Sequence, residues 1–86
     1  MEKSIHTPEH DAFLRLLKQA REEAGLTQVG LAEALKKSQS FVSKVERGET
    51  RLDVIQLRTV LAALGVTLPN FARSLEQELT REAKKR

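Results

Sequence analysis

The side chains best suited to chemistry are few and mostly isolated. His6 and His10 stand four residues apart beside Glu9 and Asp11, a spacing that can bring two imidazoles to one metal ion. No further ligand lies near them, and chain ends fray. No metal or other cofactor is therefore expected. Serines are plentiful, yet none has a recognisable base and orienting acid beside it, so the chain does not read as an enzyme. A denser group lies at Gln39, Ser40, Ser43, Lys44 and Arg47. Amides, hydroxyls and cations of this kind can hydrogen-bond the base edges in a DNA major groove.

The chain that must position these groups has 86 residues, 40% hydrophobic and 31% charged. That suffices for one domain with one small core, leaving no room for a separate catalytic domain. We expect a single domain over residues 1–86, with its core at about 8–75 and a helical tail at 76–86 that either dimerises or frays. The absence of Cys excludes a disulfide framework, a thiolate zinc site and a cysteine nucleophile. The only aromatics are three Phe, too few for platforms that stack single-stranded bases. No apolar run approaches the roughly 20 residues that span a bilayer, and Met1–Pro8 lacks the apolar centre of a signal peptide. A cytoplasmic protein without membrane partners is the expectation.

Charge is uneven along the chain. The net formal charge is +3, and residues 25–51 carry Lys36, Lys37, Lys44, Arg47 and Arg51 against Glu33, Glu46 and Glu49. A second basic run closes the chain at Lys84-Lys85-Arg86. A central cationic excess suits a polyanionic partner, whereas a terminal run reads as a solvated end.

Helix signals recur five times, and nothing alternates with the period of a strand. Thr7-Pro8 reads as a cap and first residue, followed by an apolar stripe of Phe13, Leu16, Leu17, Ala20 and Ala24 and a stop at Gly25. Thr27 opens a second helix carrying Leu31, Ala32 and Leu35. Ser38 opens a third with Val42 and Val45 inward, ending at Gly48. Asp53 and Gln56 form a capping-box pattern before Val54, Leu57, Leu61 and Leu64, with Gly65 after them. Thr67 precedes a fifth stripe of Leu68, Ala72, Leu75 and Leu79. The fold class is all-α, a five-helix bundle.

Only Lys36 and Lys37 separate the second helix from the cap of the third, which forces a steep crossing. Ala32 allows close approach there, and Phe41 is read as packing at the core edge. With Val42 and Val45 turned inward, Gln39, Ser40, Ser43, Lys44 and Arg47 form an outward face without an apolar member. Such a face can enter a major groove.

The run Gly25-Leu26-Thr27-Gln28, then Leu31-Ala32, then Ser38 through Gly48, resembles the Xre/Cro-type helix-turn-helix family of phage-repressor relatives. The later Leu61-Ala62-Ala63-Leu64-Gly65-Val66 is similar to that family's fourth helix and its stop, so the likeness spans about residues 12–75. The resemblance implies a sequence-specific regulator of transcription, commonly a homodimeric repressor of double-stranded DNA. It implies base reading by Gln39, Ser40 and Lys44, with Ser43 between them, and a phosphate grip by Gln28 at the second helix's N-terminus. Lys36, Lys37, Arg47 and Arg51 are candidates for further phosphate contacts, and Arg21 and Glu46 match an internal ion pair. Two residues depart from the pattern: Lys36 stands at a turn position where the family usually has Gly, and Gly30 sits inside the second helix.

The fifth stripe continues past the length needed to cover four helices, which predicts a two-fold dimer seam at Leu75 and Leu79. Leu68 and Phe71 are read as packing inward. An alternative implied by the same family is an antitoxin or operon controller whose C-terminal helix also binds a toxin or other small protein.

Overall fold

Side-chain oxygens start the first four helices. In the computed structural model, which describes residues 7–84, Thr7 accepts the His10 amide and Thr27 that of Gly30. Ser38 accepts from Phe41, and Asp53 from Gln56. Each bond satisfies an amide that a first helical turn leaves without a carbonyl. The helices that follow are α1 (Pro8–Glu23), α2 (Gln28–Leu35), α3 (Gln39–Glu46) and α4 (Val54–Ala63). Gln56 returns a bond to the Asp53 amide and completes the capping box. Thr67 accepts the Asn70 amide at 3.3 Å ahead of α5 (Leu68–Lys84). Among the described residues there are five helices and no strand. His6, Lys85 and Arg86 lie outside the described residues.

The first four helices also end alike. After α1, α2, α3 and α4, one residue adopts a left-handed backbone and two amides fold back onto the last turn. After α1, Gly25 bonds the Glu22 carbonyl and Leu26 that of Arg21; after α4, Gly65 and Val66 do the same to Ala62 and Leu61. The left-handed residue is Gly25, Gly48 or Gly65 in three cases and Lys36, at φ +59, in the fourth. The turn after α2 thus takes the left-handed form that glycine accommodates most easily, with a lysine strained to fit it. Lys36→Gly is therefore expected to stabilise the domain by about 1 kcal/mol, read as a raised midpoint in urea unfolding.

Five elements meet on one core. Leu61 is fully buried at its centre, ringed by Leu17, Leu31, Ala32, Val42, Val45, Val60, Leu64 and Phe71. The stripes are rotated in places from the expected ones. On α4, Val60 is buried, whereas Val54 stands 59% exposed. On α5, Phe71 is buried as expected, its ring meeting Phe13 edge-on at 5.7 Å, while Ala72 of the expected stripe is exposed. On α1, Ala12 and Leu14 are buried, while Ala24 caps the helix and is exposed.

The tail of α5 returns along α1. Arg15 pairs with Glu82 at 2.6 Å and with Glu78 at 3.4 Å, and Glu78 also takes Arg81. Leu75 and Leu79 are half-buried, and they share a groove with Thr7, His10, Phe13 and Arg51. No single helix among the described residues is long and apolar enough to cross a membrane.

Candidate nucleic-acid interface

α2 and α3 are held at their crossing by burial on one side of each helix. Ala32 lets the backbones close, and Val42 and Val45 anchor α3 against Leu17, Leu31 and Leu61. What remains of α3 faces outward. Gln39, Ser40, Lys44 and Arg47 are exposed, and Ser43 is half-buried. Among the described residues, the side chains of Ser40 and Lys44 have neither a hydrogen-bond nor an ion-pair partner.

Behind this face lies a buried charge pair. Arg21 Nε donates to Glu46 Oε2 at 2.6 Å, and Nη2 donates to Oε1 at 3.1 Å. The side chains are 9% and 7% exposed, and Arg21 Nη1 donates to the Leu26 carbonyl at 2.8 Å. The hydrogen bond to Glu46 raises the Arg21 pKa above its ordinary value, against the lowering effect of burial. The pair fastens the end of α1 to the end of α3. In a dry site a bidentate pair of this kind fixes orientation more than it adds net stability.

The pair also sets the hydrogen-bonding polarity of the outer face. A carboxylate only accepts, so Gln28 must present its amide nitrogen to Glu46, as it does at 2.9 Å. The Gln28 oxygen is then left for Gln39, whose Nε2 donates to it at 2.8 Å. Gln39 keeps its own carbonyl oxygen and one N–H. An acceptor beside a donor complements the N6–H and N7 of adenine, whereas guanine presents two acceptors. The Gln28–Gln39 bond is not legible from residue spacing, which shows only that both residues start helices joined by a tight turn.

The remaining cations are dispersed. Lys36 and Lys37 stand exposed on the turn, and the Lys37 ammonium lies 5.5 Å from the centre of the Phe41 ring, which itself packs on the core. Arg47 pairs with Glu49 at 2.9 Å and also donates to Ser43; the Glu49 bond raises its pKa. Arg51 is exposed and lines the groove of Leu75 and Leu79 rather than joining the outer face of α3. Sequence reasoning missed the Glu49 contact. The available signal was the Gly48 stop, which turns the next residue back toward the helix end. His10 stacks near Phe13 at 5.3 Å, and no group of three metal-ligating side chains occurs among the described residues.

The family model described as helix-turn-helix matches residues 17–71. The chain is similar to an XRE-family like protein from Pseudomonas syringae pv. tomato str. DC3000, at 41% identity over 87% of this chain and 92% of that one, with a TM-score of 0.79. It is similar to a mutant of the restriction-modification controller protein C.Esp1396I, at 26% identity, 93% and 96% coverage and a TM-score of 0.75. The clp gene regulator ClgR from Corynebacterium glutamicum is 27% identical, with 87% and 96% coverage and a TM-score of 0.72. A comparison with curated proteins finds no match. The chain belongs to the Xre-type helix-turn-helix family.

Proposed function

We propose that the protein is a homodimeric repressor that reads double-stranded DNA by laying α3 in the major groove. Family membership carries the coarser statement, a DNA-binding regulator of transcription. The observation that carries the finer reading is the outward face of α3: Gln39, Ser40 and Lys44 project from a helix whose opposite side is buried on Val42 and Val45. Gln39, held by Gln28, reads adenine; Lys44 donates to an acceptor such as guanine O6 or N7; Ser40 and Ser43 fill the space between them. Gln28, Lys36 and Lys37 supply sequence-independent contacts to phosphate, whereas Arg51 lines the groove of Leu75 and Leu79 and is left out of that set. A nuclear magnetic resonance titration with a mixed-sequence duplex pool tests this assignment. The amide signals of residues 36–51 should shift most; shifts concentrated on α5 instead would count against it.

Dimerisation doubles the recognition surface and sets half-sites about 34 Å apart. Leu75 and Leu79 are proposed as the seam, since part of each remains exposed after packing toward α1. Leu75→Glu with Leu79→Glu should yield monomers in analytical ultracentrifugation, and a persistent dimer would refute the seam. The likeness to a restriction-modification controller protein favours an operon controller as the second reading.

A further inference from the structure

The last turn of α3 carries a cation that the protein already occupies. The chain leaves α3 through Gly48 at φ +81, and the Glu49 amide returns to the Lys44 carbonyl at 2.8 Å. That reversal sets the Glu49 carboxylate beside Arg47. Arg47 Nε donates to Glu49 Oε2 at 2.9 Å and Nη2 donates to Oε1 at 3.1 Å, two parallel bonds in the geometry a guanidinium makes with any planar anion. The third nitrogen, Nη1, donates to the Ser43 hydroxyl. Each nitrogen of this guanidinium is thus turned to an acceptor of its own chain.

We infer that Glu49 is a built-in competitor of DNA phosphate, which holds Arg47 in reserve and weakens the binding of every duplex alike. The inference rests on the DNA-binding reading above and adds a limit to its strength. Carboxylate and phosphate offer the same pair of oxygens to an arginine, so one can replace the other. Both side chains are 53% exposed, and a pair so open to water exchanges readily. While Glu49 holds it, Arg47 neutralises no phosphate and releases no counterion.

Anisotropy titrations of a mixed-sequence duplex pool, run from about 50 to 200 mM salt, test the competitor role. Wild type is compared with Glu49→Gln, and with Glu49→Gln combined with Arg47→Ala. The single variant should bind about tenfold tighter at the low-salt end, with a log–log salt slope steeper by about 0.9, the value of one added phosphate contact. Adding Arg47→Ala should abolish the steepening. An unchanged slope in Glu49→Gln overturns the inference, and so does a steepening that survives the loss of Arg47. A wild-type protein that binds no duplex overturns the underlying DNA-binding reading instead.

Discussion

Glu46→Ala should destabilise the domain by about 3–5 kcal/mol, because it leaves the Arg21 guanidinium charged, buried and without its carboxylate. Arg21 would keep only the Leu26 carbonyl on Nη1. A loss of that size is a large fraction of the roughly 5–15 kcal/mol that holds a domain together. Urea unfolding followed by circular dichroism measures it, and a loss below about 1 kcal/mol would show that the pair is not desolvated. The double replacement Arg21→Met with Glu46→Leu separates stability from orientation. Removing both charges should restore much of the stability, since the desolvation cost leaves with them. It should not restore the reading of adenine, because Gln28 then lacks the acceptor that fixes its amide.

Lys44→Ala should weaken binding to the preferred duplex by about 1–3 kcal/mol and relax preference at one base position per half-site. The side chain is exposed on α3 and has no partner among the described residues, so its removal leaves the fold intact. Anisotropy measurements on duplexes differing at single positions distinguish the two kinds of contact. A uniform loss across all duplexes, with a salt slope shallower by about 0.9, would make Lys44 a phosphate contact instead.

Helix starts and stops were legible because they are local rules. Thr7, Thr27, Ser38 and Asp53 each bond an amide three residues on, and a left-handed residue follows each of the first four helices. The inner faces were less legible, since which side of a helix is buried depends on what lies opposite. Val54 fits α4's stripe by spacing, yet it stands 59% exposed while Val60 is buried. Ala72 fits the α5 stripe by spacing yet is exposed, whereas the larger Phe71 ring, read as inward, gains more by burial and takes the core position.

The candidate site divides in the same way. The outward residues of α3 were readable from the inward pair Val42 and Val45, whereas the bonds among them were not. Arg47 and Glu49 are two apart, a spacing that faces nothing within a helix. Only the reversal at Gly48 brings them together. Arg51 likewise counts toward the central charge in sequence, yet the chain carries it toward α1 and α5.

Selection of bound sequences from random duplexes, at one stated salt concentration, tests the central claim most directly. Wild-type protein should enrich a palindrome whose half-sites lie about one helical turn apart, and Gln39→Ala should lose the preference for A·T at one position in each half. A wild-type pool that stays random, or a Gln39→Ala pool that keeps every preference, would contradict the account.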